Sequence, residues 1–438
     1  MSLNNRKLNK TLAKNLAGGV HYNFRFPWEK APLHFVSGKG LRLKDVDGNE
    51  YLDFYAKFGA MILGHNNNEF TEYLVNFIET SLLAIDHGQL DASVSAKIIQ
   101  HVPSAEKIRF SLSGSEAVQN ALRLARAYTK KNKFIRFLGH YHGNMDNILG
   151  GTILDIQQPV PVEYNKDYRG TAGRAKGILE SQSYMIPWNN TEIIENLLNQ
   201  HADDIAAIIM EPISVNGGGI MPRMEYLASV QKLSKKFNVI IIFDEVITGF
   251  RVGLGGAQEL FNVMPDITIL GKAISGGGVP VSCITGKKNI MDLYTNRTVV
   301  QGGTFNGYPL GMAAVNATLN ILEKEGRYLR MDSTMKQIMA ILENEAKKIG
   351  FDLVIQGPPS CFHIHCRTAI LDDTSQWDIT VQNKEQILRE VLLAEGILVA
   401  PLCRFYSNIM ITDDDVTLFE KKIRNAFPIA MKKIEAIK

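Results

Sequence analysis

The sequence is poor in cysteine and has no excess of charge of either sign. Its 438 residues include 48 basic and 45 acidic side chains, which give a formal net charge of +3. This balance offers no electrostatic reason to expect nucleic acid or an anionic membrane as a partner. The cysteines are few for the length and stand in apolar surroundings, which fits a reducing compartment. They are Cys283, Cys361, Cys366 and Cys403.

Long apolar runs are also missing. No stretch approaches the roughly 18 apolar residues of a membrane-spanning helix. The first residues, MSLNNRKLNKTLAKNLAGG, are basic but lack the apolar centre of a secretory signal. We therefore expect a cytoplasmic protein with no membrane or nucleic-acid partner. Its 45% apolar and 21% charged residues are typical of globular proteins, and its length allows two domains.

Short apolar strands alternate with helices through the middle of the chain. The sequence predicts one helix from near Ser115 and another over about 224–237. The predicted strands are 107–111, 133–137, 206–211, 239–245 and 267–272. Because the later strands are apolar throughout, the pattern predicts a parallel sheet with both faces covered.

The two ends of the chain have other patterns. Residues 34–54 alternate apolar and polar side chains around an Asp-Gly pair, which predicts an antiparallel hairpin. The C-terminal third has amphipathic helices over about 309–348, 384–394 and 414–436, with short strands between them. This pattern favours a second, α+β domain, and we expect the hairpin to pack with it.

Three predicted strands end in charged residues. Glu211 ends the first, Asp244 and Glu245 end the second, and Lys272 ends the third. One such residue would most simply mark a strand that leaves the core. Ligands of parallel sheets bind beyond the carboxyl ends of the strands, so three such ends together favour a site. A buried lysine is costly unless it is paired or neutral, which suggests a reactive amine.

The segment SLSGSEAVQNALRLAR (111–126) suggests an anion-binding helix start. Ser115 is the candidate N-cap, and Glu116 suits the positive end of the helix dipole. Small residues there let an anion approach the free backbone N–H groups. An ordinary capped helix would explain the segment by itself. Beside Lys272 and Asp244, a phosphate seat is the better interpretation.

A lysine, an aspartate and a phosphate seat are the groups that pyridoxal phosphate requires. Lys272 would form a Schiff base with the cofactor aldehyde, and Asp244 would pair with the pyridine nitrogen. An aromatic side chain usually covers one face of the ring. Tyr141, in GHYHGN (139–144), is the candidate.

The motif DEVITGFR (244–251), followed by Lys272 in LGKAISGGG, resembles class III aminotransferases, and most closely the glutamate-1-semialdehyde aminomutases among them. The resemblance covers nearly the whole chain. Other matching segments, in order, are GGVHYNFR (18–25), YLDFYAKFGAMILGHN (51–66), SLSGSEAVQNALRLAR, GHYHGN, EPISVNGG (211–218), GFRVGLGGAQ (249–258) and QGGTFNGYPL (301–310). Taken together, these motifs are highly specific.

The resemblance implies an α/β protein of fold-type I. Residues 61–314 would form a large domain with a mainly parallel seven-stranded sheet, and residues 315–438 a smaller α+β domain. Residues 1–60 would pack with the small domain. A homodimer with active sites at its interface is also implied, with pyridoxal phosphate as the cofactor.

The resemblance also implies roles for single residues. Val246 and Tyr141 would lie against the two ring faces, and His142 would be a hydrogen-bonding residue beside the cofactor. Asn216 would contact the phenolic oxygen of the cofactor. Ser113, Gly114 and Ser115 would hold the phosphate, Thr304 would reach the phosphate of the neighbouring subunit, and Arg25 would grip the substrate carboxylate.

Three segments depart from the aminomutase pattern. Where that family has an acid in APSxFE, this chain has APLCRFYSN (400–408), so Phe405 takes the place of the acid and Arg404 stands beside it. The stretch 147–170, in the region that gates the aminomutase site, is longer and different. Lys57-Phe58-Gly59 replaces a block that contains tryptophan.

These departures favour release of the intermediate, which a transaminase needs and a mutase must prevent. We therefore predict amino transfer between separate molecules, with Arg25 and Arg404 binding carboxylates and a β-amino acid as one candidate substrate. A salt bridge at the surface or an interface is the alternative for Arg404. The alternative functions are an aminomutase, a racemase or epimerase, and a cofactor-binding protein without catalysis.

CFHIHC (361–366) suggests zinc at first sight. Cys361, His363 and His365 would share one face of a strand, but one short strand cannot close a tetrahedral site. We therefore predict no metal site.

Overall fold

The computed structural model describes residues 3–22, 32–83, 85–151, 175 and 177–437. The strands are β1 Phe35–Lys39, β2 Arg42–Asp45, β3 Glu50–Asp53, β4 Lys107–Ser111, β5 Lys133–Phe137, β6 Ser183–Ile186, β7 Ile205–Met210, β8 Ile240–Glu245, β9 Ile267–Leu270, β10 Ser282–Gly286, β11 Val354–Gln356, β12 Cys361–His365, β13 Ile397–Leu398 and β14 Arg404–Tyr406. The α-helices are α1 Leu3–Asn15, α2 Ala56–Gly59, α3 Asn68–Thr80, α4 Asp91–His101, α5 Gly114–Thr129, α6 Ile178–Gln182, α7 Thr191–His201, α8 Tyr226–Phe237, α9 Gly256–Leu260, α10 Lys288–Thr295, α11 Pro309–Leu322, α12 Arg327–Ile349, α13 Ile379–Ala394 and α14 Asp413–Glu435. None of the helices within these ranges combines the length and apolar composition that a bilayer crossing requires.

The central sheet has seven strands in the order β4-β10-β9-β8-β7-β5-β6. Only β10 runs antiparallel to its neighbours, so the predicted mainly parallel α/β sheet is confirmed. β4 and β5 have the predicted bounds, whereas β9 already ends at Leu270. Lys272 therefore lies beyond the strand, at the start of a 3₁₀ turn over Lys272–Ser275.

The N-terminal strands form a separate sheet that includes a strand from the far end of the chain. Its order is β1-β2-β3-β13, with β1, β2 and β3 antiparallel and β13 parallel to β3. The Asp-Gly pair lies in the turn between β2 and β3, where Gly48 has a φ of +86°. Leu41, Leu52 and Phe54 pack into the same core as the C-terminal helices.

The predicted continuous helix over 309–348 is wrong, because the chain breaks it into α11 and α12. α11 ends at Leu322, and Gly326 is the N-cap of α12, where its φ of +78° is a left-handed conformation that suits glycine. α11 packs through Met312, Val315 and Leu319 against the large sheet's helices. α12 packs into the C-terminal core, and α11 runs through residue 314, so the domain bounds stay a prediction.

Beside the C-terminal core, β11, β12 and β14 form a three-stranded antiparallel sheet. Within it, His363 on β12 stands opposite Arg404 on β14. This small sheet faces the carboxyl end of β7, because both histidines of β12 bond to backbone oxygens of the loop that follows β7.

Candidate active site

A cavity of about 410 Å³ lies at the carboxyl ends of β7, β8 and β9. Glu211, Asp244 and Lys272 all line it, which confirms that the three charged strand ends meet. Of the residues that the resemblance assigned to the site, those in the cavity wall are Gly114, Ser115, Tyr141, His142, Asn216, Asp244, Val246 and Lys272.

Lys272 occupies a strained backbone position in this wall. Its φ is +45°, which is uncommon for a residue with a side chain and costs free energy that a site must offset elsewhere. Burial is the main cause that lowers the pKa of its amine to about 8. The cation of Arg404 lowers this pKa further, while Glu211 and Asp244 oppose the shift. A useful fraction of the amine is therefore neutral, and hence nucleophilic, near neutral pH.

Asp244 is held on both oxygens. Its Oδ2 lies 2.7 Å from Nδ1 of His142, and its Oδ1 accepts a hydrogen bond from the backbone N–H of Val246 at 3.1 Å. His142 is buried, Val246 is partly buried, and the Asp244 side chain is only 5% exposed. The carboxylate is thus fixed in place facing the cavity, where it can hold a proton on a ring nitrogen.

Glu211, at the end of the neighbouring strand β7, also lines the cavity. Its Oε1 accepts from the backbone N–H of Tyr141 at 2.7 Å and from Nδ2 of Asn216 at 2.8 Å. Its Oε2 accepts from the backbone N–H of Asn216 at 3.0 Å. Burial raises the pKa of this carboxyl. Sequence reasoning noted Glu211 only as a strand end, although its place directly after an apolar strand was a usable signal.

The start of α5 forms one end of the cavity, but Ser115 is not its N-cap as predicted. Ser113 is the N-cap, in a capping box in which its hydroxyl accepts from the backbone N–H of Glu116 at 3.3 Å. Ser115 instead receives the backbone N–H of Asn144 at 3.2 Å. Ser113 is the N-cap because Glu116 stands three residues after it, the spacing that a capping box needs.

Glycines keep this end of the cavity open. A Cβ added at Gly143, whose φ is +100°, would lie 2.5 Å from Oγ of Ser115. A Cβ at Gly114 would lie 3.3 Å from the Val246 side chain. Backbone N–H groups at a helix start, with small side chains around them, suit a phosphate.

Arg404 lies beside the cavity and is only 3% exposed. Its Nη1 donates to Oδ1 of Asn216 at 2.7 Å. Within the part of the chain that the structure describes, no carboxylate pairs with Arg404, and its Nε has no hydrogen-bond partner. This geometry does not favour a salt bridge among the described residues.

Phe405, which takes the place of the aminomutase acid in the sequence, does not face the site. Its ring stacks on Phe362 at 5.0 Å within the C-terminal core. The turn before β14 decides this, because Leu402 and Cys403 have φ values of +63° and +47°. Side chains alternate along a strand, so Arg404 points toward Asn216 while Phe405 points into the core.

The segment that replaces the tryptophan block forms a left-handed turn. Ala56, Lys57 and Phe58 have φ values of +45°, +53° and +56°, which is strained for residues with side chains. Arg251 donates to the carbonyl oxygen of Gly59 and holds the turn. The turn sets the Phe58 ring 5.9 Å from the guanidinium of Arg404.

Two other predicted residues lie outside the cavity. Ser113 and Thr304 are exposed. Arg25 and residues 152–170 of the predicted gate lie outside the described residues. Among the described residues there is no group of three or more histidine, cysteine, aspartate or glutamate side chains arranged to hold a metal ion. The histidines of CFHIHC instead bond to backbone carbonyls and to Glu385.

Comparison with known proteins identifies the family. The family described as Aminotransferase class-III matches residues 27–427. The chain belongs to this family. It is 34% identical to a glutamate-1-semialdehyde 2,1-aminomutase from Natranaerobius thermophilus, with 97% of each chain covered.

Solved structures agree with this assignment. An omega-transaminase from Sphaerobacter thermophilus superposes with a TM-score of 0.90 at 26% identity over 98% of each chain. A β-phenylalanine aminotransferase from Variovorax paradoxus gives a TM-score of 0.84 at 24% identity, over 96% of this chain and 93% of the other, and shows the shared fold.

The chain is therefore a class III aminotransferase, an enzyme with fold-type I architecture that acts on small molecules. Its family implies pyridoxal phosphate as the cofactor. The side chains in the cavity fit that group: an amine with a pKa of about 8, a fixed carboxylate and an open helix start.

Proposed function

We propose that this enzyme binds pyridoxal phosphate at Lys272 and moves amino groups between separate molecules, from a carboxylate-bearing amino acid to a keto acid. The single observation that supports amino transfer between separate molecules is the buried guanidinium of Arg404, which bonds to Asn216. A cation beside the site suits substrate carboxylates that enter and leave.

Pyridoxal phosphate, when bound, would supply an electron sink for the electrons left on the substrate when it loses a proton. The Lys272 amine is the base that removes this proton and the acid that returns it, because its pKa of about 8 lets it do both near neutral pH. Asp244, fixed by His142, keeps a proton on the ring nitrogen.

The remaining residues of the cavity wall would hold the cofactor between the sheet edge and α5. Val246 and Tyr141 would cover the two ring faces, and Asn216 would contact the phenolic oxygen. Support comes from the position of all three in the cavity wall and from Glu211, which fixes both Tyr141 and Asn216. Ser113, Gly114 and Ser115, at the start of α5, receive the phosphate.

Arg404 and Arg25 bind the carboxylates of donor and acceptor. Arg404 is available because its Nε lacks a partner among the described residues. A β-amino acid is the first donor to test, because it carries the carboxylate one carbon farther from the reacting amine. The neighbour with a similar fold that acts on β-phenylalanine adds to this choice.

An aminomutase is the second candidate function. It is favoured by the 34% identity to a glutamate-1-semialdehyde 2,1-aminomutase over 97% of both chains. Both candidates share the cofactor, the lysine and the proton transfers, and they differ in whether the amino group reaches a second molecule.

The deciding experiment follows ¹⁵N from labelled α- and β-amino acids into 2-oxoglutarate or pyruvate. We expect labelled product from the acceptor, and no transfer by the Lys272→Ala variant. Isomerisation of glutamate-1-semialdehyde without any label in an external acceptor would contradict the proposal. Arg404→Met should raise KM for both substrates, whereas Arg404→Lys should restore part of the loss because it keeps the charge.

We also propose a homodimer in which Thr304 reaches the neighbour's phosphate. The segment around Thr304 exposes apolar side chains, with Val300 71% and Phe305 54% accessible. Such exposure favours a covered surface in the assembled enzyme. A cytoplasmic location fits the four cysteines, which are all free and buried.

A further inference from the structure

Two buried histidines of the small sheet hold the loop that carries Asn216. His363 and His365 lie on the same face of β12, both fully buried, with their rings stacked 5.6 Å apart. Nε2 of His363 lies 2.8 Å from the carbonyl oxygen of Val215, and Nε2 of His365 lies 2.8 Å from that of Gly218. The two bonds therefore bracket Asn216 on both sides along the chain.

The chemistry of these contacts fixes the direction of the hydrogen bonds. A carbonyl oxygen only accepts, so Nε2 carries a proton in both rings and donates it. Burial, followed by the nearby Arg404 cation, lowers the pKa of His363, so that ring is neutral. Nδ1 of His365 lies 2.8 Å from Oε1 of Glu385, which orients the second ring.

Glycines in the loop after β7 let the small sheet approach its backbone closely. A Cβ at Gly218, whose φ is +107°, would lie 3.0 Å from Trp377 and 3.5 Å from His365. A Cβ at Gly219 would lie 2.5 Å from the carbonyl oxygen of Gln356 and 3.0 Å from His363. Side chains at these glycines would push the loop away from the small sheet.

The paired strands β12 and β14 also contact the Asn216 side chain directly. His363 and Arg404 are cross-strand partners on β12 and β14. His363 bonds to Val215, and Arg404 bonds to the side chain of the next residue, Asn216. One pair of facing residues in the small sheet thus fixes two consecutive residues of the loop after β7.

We propose that His363 and His365 are positioning residues that hold Asn216 where it would contact the cofactor, so that the small sheet completes the cofactor site. This role rests on the proposed function, because it assumes that Asn216 contacts the cofactor. The histidines themselves touch only the loop, and the effect of changing them must pass through Asn216.

Paired amide substitutions test this role at each histidine. Glutamine can place an amide N–H where Nε2 lies, whereas asparagine is one carbon shorter and reaches only the position of Nδ1. His363→Gln should bind pyridoxal phosphate with nearly wild-type affinity. His363→Asn should bind it about tenfold more weakly, the factor that corresponds to the loss of one hydrogen bond. We also expect His365→Gln to bind pyridoxal phosphate more tightly than His365→Asn.

The visible absorbance band of the bound cofactor provides a readout that a general loss of stability would not move. Since Asn216 is expected to contact the phenolic oxygen, the pH midpoint of this band should shift in His363→Asn and return in His363→Gln. Ile364→Val is the matched control, because Ile364 is the next residue on β12 and packs into the opposite core. It should lower thermal stability and leave cofactor affinity and the band unchanged.

Equal affinities and equal band midpoints in the folded Gln and Asn variants would overturn the positioning role. An Ile364→Val variant that weakens cofactor binding as much as His363→Asn would overturn it too. A wild-type enzyme that takes up no pyridoxal phosphate would instead refute the proposed function.

Discussion

Among single residues, Lys272 is the one whose reactivity depends most on its surroundings, which keep its amine partly neutral. Burial lowers the pKa of its amine to about 8, and Arg404 adds to the shift. Capture of the cofactor aldehyde needs the neutral amine. The rate of capture by the apoenzyme should therefore rise with pH and level off above about pH 8.

Arg404→Met supplies the internal comparison for this pH profile. Removing a neighbouring cation makes protonation of Lys272 easier, so its pKa rises and the midpoint of the profile should move to higher pH. Stopped-flow absorbance at a series of pH values measures both enzymes, and the titration of free cofactor is common to both. A midpoint that stays in place, or moves down, would show that Arg404 does not act on Lys272.

The site residues that could be predicted from the sequence are those marked by the residues next to them in the chain. Lys272 and Asp244 follow apolar strands directly, so their meeting at one sheet edge was predictable. The orientation of Phe405 was not, because it depends on two left-handed residues in the preceding turn, Leu402 and Cys403. The place of Glu211 directly after an apolar strand was a usable signal, but its bonds to the backbone N–H groups of Tyr141 and Asn216 depend on the fold and leave no pattern in the sequence.

At the scale of elements, the start of α5 has two roles: it caps the helix and it forms the proposed phosphate site. A capping variant elsewhere in the protein can distinguish the effects of the two roles. Ser113→Ala removes the capping box and should lower the free energy of unfolding by about 1 kcal/mol. It should also weaken binding of pyridoxal phosphate about three- to tenfold, because the phosphate seat depends on the same turn.

A second capping box provides the control for that prediction. Thr412 and Asp415 cap α14, which packs in the C-terminal core. Thr412→Ala should cost a similar free energy in chemical denaturation and leave cofactor affinity unchanged. If both variants bind the cofactor like wild type, the phosphate is not seated at α5.

Elements were predictable where the pattern of apolar residues is continuous. β4 and β5 have the predicted bounds, and α8 begins two residues later than predicted. The break between α11 and α12 was missed, although residues 323–326 are Glu, Lys, Glu and Gly and interrupt the apolar pattern. The antiparallel direction of β10 and the pairing of β13 with β3 depend on long-range contacts that no local pattern specifies.

At the scale of the whole molecule, the proposed dimer explains the exposed segment around Thr304. The enzyme should have twice the 48.8 kDa mass of one chain in light scattering after size-exclusion chromatography. Phe305→Asp places a charge on the exposed apolar surface, so it should shift the mass toward one chain and weaken cofactor binding.

Met224→Asp is the control for this change, because Met224 is 94% exposed and precedes α8, away from the residue 300–305 segment in the sequence. It should keep the mass and cofactor affinity of the wild type. A monomeric wild-type enzyme with full activity would contradict the proposed dimer.

The most direct test of the central claim is to reduce the cofactor-loaded enzyme with borohydride and to locate the modified residue by peptide mass spectrometry. We expect a phosphopyridoxyl group on the amine of Lys272 and none in the Lys272→Ala variant. A phosphopyridoxyl group on another lysine of the wild-type enzyme, with Lys272 unmodified, would contradict it.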